Sequence, residues 1–336
     1  MRKGGVIRAA AILGIMLAAG SAAETKAIES RMVLAEEAES ETESEVSADD
    51  ALIEKQNGVD EALQQELENG YTLEDALIVV NPYGTAPLSA MAVFSTEEAL
   101  GGTVTVKGKS QENDVTGTFE AETDHMVPIY GLYSGQTTEV VITLGDGTTA
   151  TFSVETEPVN VDLGTIQADM MDESNYDYSE LTFVCSAMGA LYALDSAGDM
   201  RFYTNMGGTL GVHQLRNGHL CIPSSEVLHP TYYKDGLLEI DLMGKIYQKY
   251  DVPGGQHHDF VELPNGNLLV ASDREDFSTV EDYVVEINRK SGKVVWELDM
   301  KDLISEEDGQ SASMDSDGSE ETDWFHNNGL WYDAEH

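Results

Sequence analysis

From about residue 70 onward, apolar and polar positions alternate in short runs, each closed by Gly, Asn or Asp. That is the period of two of half-buried strands, not the 3.6-residue period of helices. The run "TEVVITLGDGTTATFSV" is the clearest. Val140, Ile142 and Leu144 alternate, Gly145-Asp146-Gly147 supplies a turn, and Phe152 and Val154 resume the period, so a β-hairpin is predicted. "GTVTVKG" and "GTFEAE" add short strands around it. Upstream, "GVDEALQQELENGYTLEDALIVVNPYG" begins with a helix-like pattern that Gly70 interrupts. Residues 78–160 are therefore predicted to form a small antiparallel β-sandwich, and 24–77 an acidic linker with a short helix.

The pattern becomes a repeat from about residue 180. "ALYALDSAGDMRFY", "GLLEIDLMGKIYQKY" and "YVVEINRKSGKVVWEL" each read as strand, Gly-containing turn, strand, with Leu194, Ile240 and Ile287 spaced 46 and 47 residues apart. A second unit lies between them: "QLRNGHLCIPSS" and "ELPNGNLLVASD" put Asn217 and Asn265 48 residues apart. Four short strands at this period match a β-propeller blade of ~40–50 residues. The fold class predicted is all-β, a small N-terminal β-sandwich followed by a partial β-propeller over 180–336. That length holds about three blades, where a closed ring needs at least ~4, so the chain is expected to be an incomplete form.

Charge and composition narrow the partners. The net charge of -44 excludes the basic surface that nucleic acid or an anionic membrane attracts. Much of it is local, in "AEEAESETESEVSADD" (35–50) and "SEEDGQSASMDSDGSEETD" (305–323), both read as solvated segments. "DSDG" has the first spacing of a calcium loop but lacks the remaining ligands. Arg2, Lys3 and Arg8 precede a short apolar core and the small residues "SAA", the layout of a secretory leader cleaved near Ala23. An exported protein, periplasmic or at the cell surface, is expected. Cys185 and Cys221 are compatible with one disulfide or with two small core residues.

Candidate chemistry gathers at "GGQHHDFVELPNG", where His257, His258 and Asp259 precede an apolar strand. "DWFHNNGLWYD" has the same layout, with His326, Asn327 and Asn328 at the matching strand entrance. Equivalent positions on successive blades converge on the central channel, where histidines serve as anion ligands, acid–base groups or metal ligands. His257, His258 and His326 are the candidate catalytic residues, and Asn327 and Asn328 the candidate substrate-binding amides. His213 matches the motif more weakly, and His125, His219 and His229 read as local hydrogen bonders.

These motifs, with "NPYGTAPLSA" and "HMVPIYGLYSG" nearer the amino terminus, resemble the bacterial arylsulfate sulfotransferases over most of the chain from about residue 78. The resemblance implies a six-bladed propeller behind the sandwich. It also implies transfer of a sulfuryl group from a phenolic sulfate ester to a phenol, through a sulfohistidine, without a nucleotide donor or other cofactor. By the same resemblance, His257 (or His258, one register away) contacts sulfate, and His326 with Asn328 forms an H-x-N pair that holds its oxygens. The family's nucleophilic histidine and a sulfate-binding arginine come after "DWFHNN", and His336 matches no motif, so the chain is expected to lack its nucleophile. A homodimer is among the assemblies open to it. The alternative function is a non-catalytic secreted propeller that binds a ligand at its channel. A metal-dependent hydrolase with Asp259 as an added ligand ranks last, because no compact motif such as H-x-x-x-H is present; no metal is expected.

Overall fold

The computed structural model describes residues 47–163, 166, 180–186, 190–206, 211–228, 233–275, 279–304 and 322–333, together with the two-residue strands Leu17–Ala18 and Ser313–Met314. The rest of the secretory leader, most of the acidic linker and of the 305–323 segment, His229, His336 and the "DSDG" loop lie outside the described residues.

Helix α1 (Ala48–Glu66) begins the first continuous described stretch. Ser47 caps it by accepting the Asp50 N–H, and Asp49 and Asp50 lie in the first turn, where the helix dipole favours anions. Here the structure corrects the sequence reading, which left 35–50 as a solvated segment. Asp49 is buried, and its carboxylate accepts from Ser224 and Ser225. Gln56, Val59 and Leu63 form the buried stripe. Val59 and Leu63 pack on Leu77, Val79, Met91, Val93 and Met243, so α1 lies between the two parts of the molecule.

The first part is a six-stranded sheet: β1 (Leu77–Val80), β2 (Ser89–Val106), β3 (Val115–Tyr130), β4 (Thr137–Leu144) and β5 (Thr149–Glu155), with the short strand Leu17–Ala18 antiparallel to β1. The expected hairpin is present, with Val140 opposite Phe152 and Gly147 in the left-handed region of its turn. The two short strands expected at 102–108 and 117–122 belong to the long β2 and β3. Register shifts between Ser95 and Gly102 bend β2, so its first half pairs with β1 and its second with β4. Ala90, Ala92 and Phe94 from one half then share a core with Val140, Ile142 and Val154 from the other.

The second part begins with a three-stranded sheet, β6 (Thr182–Cys185), β7 (Leu191–Leu194) and β8 (Met200–Thr204). A seven-stranded antiparallel sheet follows in chain order: β9 (His213–Gln214), β10 (Leu220–Pro223), β11 (Lys234–Ile240), β12 (Ile246–Glu262), β13 (Leu268–Ser272), β14 (Tyr283–Asn288) and β15 (Lys293–Asp299). The repeat holds down to single hydrogen bonds. The Asn217 and Asn265 carboxamides donate to Glu239 and Glu286 in turns of the same shape, and Asp195, Asp241 and Asn288 each accept a backbone N–H two or three residues on. One feature differs from separate blades. The two four-stranded meanders share β12, whose first half pairs with β11 and whose second half pairs with β13 after a break between Gln256 and Phe260. Gly254 and Gly255, both at positive φ, let the chain swing there without leaving the sheet. A Cβ at Gly254 would lie 1.9 Å from the Asp273 carbonyl oxygen, so only glycine fits.

Candidate functional site

The swing in β12 delivers His257 and His258. His257 is 1 % exposed, with the Tyr233 ring edge-on at 5.9 Å and the His258 ring perpendicular at 5.7 Å between centroids. Burial, and then the nearby His258 and His326, bring its pKa down to about 3, so this imidazole is neutral across the physiological range. Neither ring nitrogen makes a hydrogen bond of standard geometry among the described residues; the Ser272 backbone is close enough only to oppose the lowering in part.

Glu281, which sequence reasoning missed, is the residue that joins the two histidine motifs. Its buried carboxylate Oε2 is 2.7 Å from His326 Nδ1, and its carbonyl accepts the Asn327 N–H at 2.9 Å. Its own N–H donates to Asp273. One ligating atom each from His257, His258 and Glu281 lie within 4.8 Å of one another. The two motifs, 69 residues apart, therefore meet at one carboxylate.

The backbone marks the same place. Among the described residues, four non-glycines have positive φ: Asn81, His258 at 51°, Glu281 at 58° and His326 at 60°. The last three belong to this cluster. Such conformations cost on the order of 1–3 kcal/mol each and persist where the surroundings over-determine them.

Neighbouring side chains set the frame. Asp282 is fully buried; its carboxylate accepts the Trp324 indole N–H at 2.5 Å and the Thr279 hydroxyl at 2.6 Å. Trp324 thus anchors "DWFHNN", and the adjacent Glu281 receives its histidine. Asp259 is occupied elsewhere: it accepts from His213 Nε2 at 3.1 Å and from the Leu330 N–H at 2.8 Å. His213, discounted in the sequence, stands beside the cluster against Phe260. Asn327 is buried, with its Nδ2 unpartnered among the described residues, whereas the neighbouring Asn328 is exposed. His125 bonds locally to Thr96 and His219 to Glu239. Cys185 and Cys221 are not joined in a disulfide.

Residues 167–336 match the family model described as arylsulfotransferase (ASST), and residues 77–159 match the arylsulfotransferase Ig-like domain. The chain belongs to the arylsulfotransferase family. Its strand-rich, two-part architecture agrees with that membership: β1 to β5 form the Ig-like domain, and the clustered histidines lie within the segment matched by the catalytic model. Comparison with curated protein sequences gives no match. Glu281 lies in "STVEDY", a loop with no recognisable motif, and only its acidic pair with Asp282 before a strand offered a signal.

Proposed function

We propose that the His257–His258–Glu281–His326 cluster binds the sulfuryl group of a phenolic sulfate ester and passes it to a phenolic acceptor. The carrying observation is the set of buried polar groups that the protein leaves unpaired there. The His257 ring nitrogens, Ser272 Oγ, Asn327 Nδ2 and the nearby Gln256 Nε2 have no partner of standard geometry among the described residues, although such groups are nearly always satisfied. Most are donors, and a sulfuryl group offers the acceptor oxygens that match them. In transfer the charge spreads over those oxygens, and fixed N–H groups in a water-poor pocket stabilise it.

The chemistry proposed is ping-pong transfer through a sulfohistidine. The lone pair of the nucleophilic imidazole, which the family resemblance places beyond "DWFHNN" and not in this cluster, attacks sulfur. The sulfur–oxygen bond to the phenol breaks, and a histidine N–H of the cluster returns a proton to the leaving phenolate. A second phenol takes the sulfuryl group by the reverse displacement and gives up its proton. Glu281 fixes the His326 tautomer through Nδ1, which leaves Nε2 for the substrate. The leader-like amino terminus supports export, and the net charge of -44 argues against nucleic acid as a partner.

Titration calorimetry with 4-nitrophenyl sulfate tests the site. The ester is expected to bind, 4-nitrophenol to bind at least about tenfold more weakly, and Asn327→Leu to lose about tenfold for the ester alone. Equal affinity for ester and phenol would overturn the reading. Release of 4-nitrophenol that depends on added phenol distinguishes transfer from hydrolysis, which would proceed with water alone.

A further inference from the structure

We propose that the same cluster holds a divalent transition-metal ion of the zinc type, through one nitrogen each of His257 and His258 and one carboxylate oxygen of Glu281. Sequence patterns gave no reason to expect this, since the histidines are adjacent and the carboxylate lies 23 residues beyond His258. The fold supplies the third ligand. One ligating atom from each residue lies within 4.8 Å of the others. An ion with bonds of ~2.1 Å needs its ligand atoms roughly 3.4 Å apart, so side-chain rotation has at most about 1.4 Å to close per pair.

Independent features point to a ligand here. Both ring nitrogens of His257 are unpaired in a side chain that is 1 % exposed, and an imidazole lone pair suits a borderline-soft ion. His258 and Glu281 reach the cluster from separate segments, each with a left-handed backbone. The outer groups are also in place. Glu281 is steadied by His326 Nδ1 at 2.7 Å and through its N–H by Asp273, leaving a carboxylate oxygen for the ion, and the Ser272 backbone lies beside the His257 ring. Metal-binding carboxylates and imidazoles are held by partners of this kind. Three protein ligands leave a tetrahedral ion one open position. With Asn327 Nδ2 and His326 next to it, that position takes an oxyanion such as sulfate.

The test uses the purified full chain, stripped with chelator and titrated with Zn²⁺ or Co²⁺ alone. Expected are about one bound equivalent and a tetrahedral Co²⁺ absorption spectrum that changes when sulfate is added. Glu281→Gln and His258→Asn are expected to weaken binding about 100-fold, and His326→Ala, which removes the ring beside the carboxylate, about tenfold. His219→Ala, remote from the cluster, should bind as the parent does. Retention of less than about a tenth of an equivalent by the parent chain, or unchanged affinity in Glu281→Gln and His258→Asn, would overturn the proposal. If those variants fail to fold, the parent spectrum decides: a weak octahedral spectrum indifferent to sulfate sinks it. A chain that binds 4-nitrophenyl sulfate but takes no metal would defeat the metal site and leave the sulfuryl-transfer reading intact.

Discussion

Glu281 shows how one side chain can couple two segments distant in sequence. It meets His326 through its carboxylate and Asn327 through its carbonyl, from a strained backbone that Asp273 holds by the N–H. Glu281→Gln keeps the size and removes the charge that sets the His326 tautomer. In a chain that carries the family's nucleophilic histidine, turnover of an aryl sulfate is expected to fall about 10- to 100-fold in kcat, with a smaller change in KM, because a misdirected ring costs most in the transition state. Acceptor-dependent release of 4-nitrophenol measures this, and a change confined to KM would show that Glu281 only shapes the pocket. Gly254 acts at the same scale by exclusion. With φ of 76° and the Asp273 carbonyl 1.9 Å from its missing Cβ, Gly254→Ala must displace Asp273, the acceptor of the Glu281 N–H. A loss of at least ~2 kcal/mol in urea unfolding is expected.

Among the elements, α1 works as a wedge held by exact polar pairing at one buried residue. Gln56 donates to the Gly244 carbonyl at 2.8 Å and accepts the Ile246 N–H at 2.7 Å, closing the turn between β11 and β12. Gln56→Leu keeps the volume but orphans the buried Ile246 N–H and leaves the Gly244 carbonyl to the Thr85 hydroxyl, and about 1–3 kcal/mol should be lost in denaturant titration. Across the curled sheet, Glu239 gathers Arg289, Tyr250, Asn217 and His219. Burial pushes its pKa upward, but these hydrogen bonds together outweigh that and bring it to about 2. A depressed carboxylate stabilises the fold above its unfolded pKa, near 4.5, and that contribution is lost as pH falls towards 2. Comparing urea midpoints at neutral and acid pH should show about 2 kcal/mol less pH dependence in Glu239→Gln than in the parent.

At the level of the whole molecule, Arg201 ties the Ig-like domain to the curled-sheet part. The fully buried guanidinium on β8 donates to the Gly131 carbonyl at 2.7 Å and the Asn113 carbonyl at 2.8 Å, pairs with Asp195 at 3.0 Å, and stacks over the Tyr133 ring at 4.1 Å. Arg201→Met leaves Asp195 buried without its cation, a change that costs on the order of 3–5 kcal/mol. Calorimetry should then resolve a separate, earlier transition for one part, with faster proteolysis between 155 and 182. A single cooperative transition at the parent temperature would show that Arg201 is not what couples the two parts.

Strand identity, the hairpin at Val140 to Val154 and the 46- and 47-residue repeat were legible along the chain, because alternation and turn residues are local properties that each segment carries by itself. The two histidine motifs were legible for the same reason, but the strand expected after His326 is not formed by residues 327–333, whereas His257 and His258 lie inside β12. The start of α1 was misread, since Asp49 and Asp50 look solvated until Ser224 and Ser225 are brought to them. The strand shared by the two meanders, the burial that keeps His257 neutral, and the arrival of Glu281 between His258 and His326 were decided only in three dimensions. Each depends on which distant groups exclude water from a side chain, and desolvation and charge proximity are properties of the packed molecule that no spacing along the chain encodes.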